Sequence, residues 1–191
     1  MRRISVFCGS SSGNLPIFKE QARRLGQELA ARNIEVVYGG GNVGLMGALA
    51  DGALDAGGKV IGVLPYFLKA KELGHSQLTE MIYVDTMHER KAKMNELCDG
   101  VIALPGGFGT MEEMFEMLTW GQLSLHAKPV AVLNTDGYYN ALLNFIAQMI
   151  EKGFLKEDYR NMLIMSEDIG ILLDKMKNYR PPVNNKWFDV K

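Results

Sequence analysis

Short apolar runs rich in β-branched residues alternate along this chain with longer amphipathic ones, each closing on Gly, Ser or Pro, and nothing else constrains the fold as strongly. The pattern predicts strands at about 4–8, 35–38, 59–64, 81–84, 100–104, 129–133 and 162–165. Helices are expected near 16–32, 43–57, 87–98, 110–123, 138–151 and 167–178. A run such as Val101-Ile102-Ala103-Leu104 has no polar alternation, so both faces of its strand are expected to be buried, as a parallel sheet with helices on each side requires. The expectation is an α/β fold: a single-domain, Rossmann-like, doubly wound parallel sheet of about seven strands with helices on both faces. It spans 1–178, with 179–191 as a tail whose Trp187 and Phe188 point to docking on a surface. In such sheets ligands bind beyond the carboxyl ends of the strands, so the loops after the first, second and fifth strands matter most.

The composition narrows the partners. Twenty-one Lys and Arg against 22 Asp and Glu leave a net charge of −1, without the footprint of a nucleic-acid or membrane-surface binder. No stretch is long enough to span a bilayer, and the short apolar run after Arg2 and Arg3 does not make a signal peptide. Two cysteines, Cys8 and Cys98, are too few for a disulfide scaffold, which fits a cytoplasmic setting. The three histidines are scattered without ligand spacing, so no metal site is expected.

Two glycine-rich loops each lead from a strand into a helix. Gly39, Gly41 and Gly44 formally satisfy the dinucleotide fingerprint G-x-G-x-x-G, yet the third strand runs Val60 to Leu64 into Pro65 and Tyr66 without the carboxylate that would hold a ribose. That counts against a nicotinamide cofactor. The second loop, Pro105-Gly106-Gly107-Phe108-Gly109-Thr110, is expected to open a helix at Thr110 or Met111, where bare backbone N–H groups and the helix N-terminus suit a phosphate. α/β turns need glycine in any case, but two such loops on one sheet edge favour a mononucleotide or sugar-phosphate pocket. Neither loop has the Lys of a Walker A motif. Gly9-Ser10-Ser11-Ser12-Gly13 adds hydroxyl donors or is a plain polar turn.

Two charges sit where helices should be apolar. On a wheel of about 100° per residue, Met87, Met94, Leu97 and Cys98 form one stripe; Arg90 falls inside it and Lys91 on its margin. Arg90 either reaches an anion or carboxylate at the sheet edge, snorkels to solvent, or makes a structural ion pair. On the next helix Glu113 projects between Met117 and Trp120, either towards a ligand or merely closing a capping box with Thr110, a spacing that recurs at Thr86 and Glu89.

In Gly39 to Gly47, Met87-His88-Glu89-Arg90-Lys91 and Pro105 to Glu113, the chain resembles the Lonely Guy family of cytokinin riboside 5′-monophosphate phosphoribohydrolases, over a span from the first strand to about Asp174. The combination P-G-G-x-G-T-x-x-E with an upstream R-K pair is specific. The resemblance implies hydrolysis of the N-glycosidic bond of AMP-like nucleotides to free base and ribose 5-phosphate, without a cofactor, with Arg90 and Glu113 as the catalytic pair. It implies nucleotide contacts from Lys91, Gly106, Gly107, Phe108, Gly109, Thr110, Met111, Glu112, Thr119 and Glu72, and pocket walls from Gly9, Ser10, Gly41 and Met46. It also implies a homodimer with the pocket completed near the subunit boundary. Members have carried the label lysine decarboxylase, but no pyridoxal-binding lysine context is visible here. A nucleotide-binding carrier of the same fold, without turnover, is the alternative reading.

Overall fold

The computed structural model describes residues 1–69 and 74–182. Its strands are β1 (Arg3–Phe7), β2 (Glu35–Tyr38), β3 (Val60–Pro65), β4 (Glu80–Val84), β5 (Gly100–Ala103), β6 (Val130–Leu133) and β7 (Leu163–Ser166). The helices are α1 (Pro16–Ala31), α2 (Gly44–Asp55), α3 (Met87–Leu97), α4 (Phe108–Gln122), α5 (Asn140–Glu151) and α6 (Ile169–Lys177). Every one lies within two residues of its expected bounds. Short 3-10 turns at Tyr66–Leu68, Thr135–Gly137 and Glu157–Met162 were not foreseen, because one turn carries too little periodicity to read.

All seven strands are parallel, in the order β4-β3-β2-β1-β5-β6-β7. The chain winds outward from β1 to one edge, returns, and continues from β5 to the other. This is the Rossmann-like sheet, and the order reverses between β1 and β5.

The continuous apolar strands divide their side chains between two cores. Ile4, Val6, Val36, Tyr38, Ile102 and Leu104 pack with α1, α2 and α6. Phe7, Val37, Val101 and Ala103 pack with Met94 of α3 and Met114 and Met117 of α4 on the opposite face. Each fully buried Val or Leu contributes about 1.5–3 kcal/mol, so the period-two alternation that separates these sets is strongly enforced. Tyr179, expected to begin the tail, packs against the first core. Trp187 and Phe188 lie outside the described residues.

Two helical expectations need correction. Met87 is exposed rather than facing the sheet, because it occupies the first turn of α3, and among that helix's residues only Arg90 and Met94 are buried. α4 begins at Phe108, before Thr110, since Gly107 is its extended N-cap residue. α5 is amphipathic but has no buried residue, so its apolar side is only partly covered, with Leu142 against the second core and Phe145 exposed.

Candidate functional site

Three loops meet where the strand order reverses. The N–H of Gly9, after β1, donates to Pro105 O at 3.1 Å, and the N–H of Leu45 in α2 donates to Gly9 O at 3.1 Å. Gly9, Ser10, Ser12, Gly106, Gly107 and Tyr138 line a cleft of about 440 Å³ there.

The two glycine loops do different work. The β2 loop is occupied by packing: Gly41 pairs with Gly74 and accepts the Tyr38 hydroxyl at 3.1 Å, and a Cβ on Gly44 would run into the backbone of Ser10. A Cβ on Gly39 would land on the Arg90 guanidinium. The β5 loop is open. The N–H groups of Gly106, Gly107, Phe108 and Gly109 meet no acceptor among the described residues. The first turn of α4 therefore presents unpaired donors at the positive end of its dipole.

Arg90 is only 8% exposed, and its guanidinium is poorly satisfied. One terminal nitrogen donates to Gly39 O at 3.3 Å, the other reaches Met87 Sδ at 3.9 Å, and Nε has no partner. A buried cation left this short of acceptors is costly unless another group completes it. Neither the solvent-snorkelling nor the ion-pair alternative describes it.

Glu113 does not close a capping box. Thr110 is a buried residue inside α4, whose N-cap makes no side-chain hydrogen bond, so the Glu113 carboxylate is left for other uses. At Thr86 the same spacing does form a cap: Thr86 Oγ1 accepts from the N–H of Glu89 at 3.1 Å, and Glu89 accepts from the N–H of Asp85 at 2.9 Å. Burial pushes the Glu113 carboxyl up to about 7; Arg90 and Lys91 oppose the shift, and Glu112 and Glu116 add to it. Arg90 and Glu113 form no direct ion pair, yet both act on the Cys8 thiol, which burial and Glu113 push up and Arg90 pulls down. The three groups share one electrostatic neighbourhood.

Lys91 Nζ donates to Glu112 at 2.5 Å and to Glu116 at 3.0 Å, tying α3 to α4. These partners raise its pKa, the reverse of the depressed value that a lysine forming an imine requires. Met46 is buried in the core behind Gly39. The Phe108 side chain is 96% exposed, so only its backbone faces the loop. Met111 is half-buried against the second core. Thr119 is not brought to the glycine loop: its hydroxyl donates to Phe115 O at 2.8 Å, and it lines a separate groove between α4 and α5. Glu72 lies outside the described residues. Among the described residues no three His, Cys, Asp or Glu side chains gather as a metal-ligand set.

Sequence reasoning missed Tyr138 and Tyr139. Their hydroxyls donate to Gly106 O at 2.5 Å and to Leu104 O at 2.6 Å, across more than 30 residues of chain. Consecutive tyrosines after an Asp-Gly turn were the available signal.

A doubly wound sheet with an open helix N-terminus, a buried under-satisfied guanidinium and a carboxyl of raised pKa defines an α/β protein built to hold an anionic small molecule. Residues 46–176 match the family described as possible lysine decarboxylase. The chain is 50% identical over 177 residues to a probable cytokinin riboside 5′-monophosphate phosphoribohydrolase of Oryza sativa subsp. japonica, covering 93% of this chain and 79% of that protein. It is 46% identical over 180 residues to a cytokinin riboside 5′-monophosphate phosphoribohydrolase of Arabidopsis thaliana, covering 94% and 84%. Among solved structures it is similar to the molybdenum cofactor binding protein of Rippkaea orientalis, with a TM-score of 0.67, 25% identity and coverage of 92% and 95%. The molybdenum cofactor carrier protein of Chlamydomonas reinhardtii has the same fold, with a TM-score of 0.68, 22% identity and coverage of 92% and 96%. The chain belongs to the Lonely Guy family of cytokinin riboside 5′-monophosphate phosphoribohydrolases.

Proposed function

We propose that this protein hydrolyses the N-glycosidic bond of AMP or N6-substituted adenine ribonucleoside 5′-monophosphates, cytokinin ribotides, to the free base and ribose 5-phosphate. The observation that carries the reading is the buried guanidinium of Arg90, whose Nε has no partner, in the electrostatic neighbourhood of the Glu113 carboxyl and the open first turn of α4. The 5′-phosphate takes the N–H groups of Gly107, Phe108 and Gly109. Glu113 lies five residues beyond Phe108, roughly 7.5 Å along the helix axis, on the scale of the reach from a phosphate to its ribose. Arg90 holds the sugar hydroxyls or the carboxylate. As the C–N bond breaks, positive charge grows on the ribose, and ionised Glu113 stabilises it and orients the attacking water. Water supplies OH to the anomeric carbon and a proton to the departing base. Binding energy from the phosphate positions the ribose.

In this reading Lys91 contacts the nucleotide and offsets the charge of Glu112 and Glu116 beside it. Gly106, Thr110 and Met111 shape the loop, Gly9 and Ser10 form the wall opposite, and Gly41 and Met46 back that wall from the core. The catalytic unit is 1–178. Incubation of the pure protein with AMP and with isopentenyladenosine monophosphate should release the corresponding free base from at least one. Saturable binding of both without product would instead favour a carrier of the same fold.

The same reading makes the enzyme a cytoplasmic homodimer whose partner is the nucleotide, with no role for nucleic acid or membrane. The near-neutral charge and the two free cysteines support this. The partly covered apolar faces of α4 and α5 support the dimer. They frame an apolar groove of about 190 Å³ with Thr119 on its wall, and Phe145 and Phe154 are exposed close by in sequence. Contiguous apolar surface of this kind marks an interface. Phe145→Glu is expected to convert a dimer into a monomer in light scattering; a wild-type protein that is already monomeric at micromolar concentration contradicts the dimer.

A further inference from the structure

Four successive carbonyls of the β5 loop are each tied to a donor. Leu104 O accepts from the Tyr139 hydroxyl at 2.6 Å, Pro105 O from the N–H of Gly9 at 3.1 Å, Gly106 O from the Tyr138 hydroxyl at 2.5 Å, and Gly107 O from the N–H of Met111 at 3.1 Å. The N–H groups from Gly106 to Gly109 remain open. In a trans peptide the C=O and the following N–H point in opposite directions, and none of the peptides among the described residues is cis. Holding Gly106 O on one side therefore turns the N–H of Gly107 to the other.

The Gly106–Gly107 peptide needs such a hold. It is flanked by two residues without Cβ, the combination for which rotation of a peptide plane meets least steric resistance. The Cβ position of Gly107 has nothing within 4 Å, so packing at that residue does not fix the plane. Tyr138, by contrast, is well anchored. It follows the Thr135–Gly137 turn, in which Asp136 has φ 54° and Gly137 has φ 68°. Asn134 closes this turn by accepting from the N–H of Tyr139 and donating to Asn140, both at 2.8 Å. The Tyr138 ring meets Phe18 and Tyr139 edge-on, with centroids 6.1 and 5.1 Å away.

We propose that Tyr138 is a positioning residue for phosphate recognition: its hydroxyl fixes the Gly106–Gly107 peptide so that the N–H of Gly107 faces the 5′-phosphate. Tyr139 holds Leu104 O two peptides earlier, where the next residue is Pro105 and there is no N–H to aim; it is 1% exposed and belongs to the core, whereas Tyr138 is 45% exposed. The hydroxyl of Tyr138 can therefore be removed without opening a buried cavity. The proposal rests on the nucleotide reading above.

Tyr138→Phe tests it, with ribose 5-phosphate and adenosine as probes in calorimetry and the ribotide in steady-state kinetics. The expected result is an affinity for ribose 5-phosphate about tenfold weaker, the scale of one lost hydrogen bond. The KM for the ribotide rises by a similar factor, while kcat stays within about twofold. Adenosine affinity and Tm are unchanged. A variant that binds ribose 5-phosphate as the wild type does, or that loses adenosine equally, overturns the positioning role. Wild-type protein that fails to bind ribose 5-phosphate overturns the nucleotide reading itself, and this proposal with it.

Discussion

Glu113→Gln is expected to lower kcat on a ribotide by about 10²–10³-fold, the scale for losing one preorganised group that stabilises transition-state charge, and yet to make the protein more stable at pH 8. Both effects have one cause. The carboxyl sits where burial outweighs the help of Arg90, and its pKa rises to about 7. The folded chain therefore holds this proton more tightly than the unfolded chain does. Between the ordinary carboxylate range and pH 7 the folded state carries more protons, so stability falls as pH rises through that window. Above it the ionised group costs on the order of 3 kcal/mol. Glutamine removes that cost. Thermal melts should show the variant gaining on the wild type from pH 5 to pH 8, and a variant no more stable at pH 8 would contradict the assigned environment. The kcat/KM of the wild type should rise through about pH 7 as Glu113 ionises, above the limb set by the substrate's own phosphate near pH 6.

The second large effect is expected at a residue given no contact with substrate. Gly39→Ala should reduce activity by about 10²-fold, the scale of an ångström-sized misplacement of a catalytic group. The new methyl would occupy the place of the Arg90 terminal nitrogen. Gly39 is not in the left-handed region, so its backbone accepts alanine and the strain falls on the guanidinium. Arg90→Met should lose as much activity while keeping Tm, because the arginine is buried with too few acceptors to stabilise the fold. Kinetics and melts on both variants give the comparison. If Gly39→Ala is fully active, the guanidinium position is not what the β2 loop exists to protect.

The helical wheel of α3 placed Arg90 on the inward face correctly, since a 3.6-residue period fixes which side chains share a face. It misplaced Met87, because whether the first turn of a helix lies over the sheet or beyond it depends on the strands beneath. The two T-x-x-E segments are indistinguishable by spacing. Only Thr86 acts as a cap, and at Thr110 the extended Gly107 starts the helix earlier and frees Glu113. The two glycine loops likewise share a composition, but one is consumed by packing against Ser10 and Arg90 while the other keeps its N–H groups open.

The sequence by itself determined the alternating elements, the parallel sheet buried on both faces and the residue types that gather at its carboxyl edge. Those follow from hydrophobic period and turn chemistry, which act over a few neighbouring residues. Only the tertiary structure decided that Arg90 rests on Gly39, that Lys91 is held by Glu112 and Glu116, that Thr119 faces a different groove, and that Tyr138 grips Gly106. These contacts join segments tens of residues apart, and their partners are set by strand order and loop packing, which no local pattern specifies.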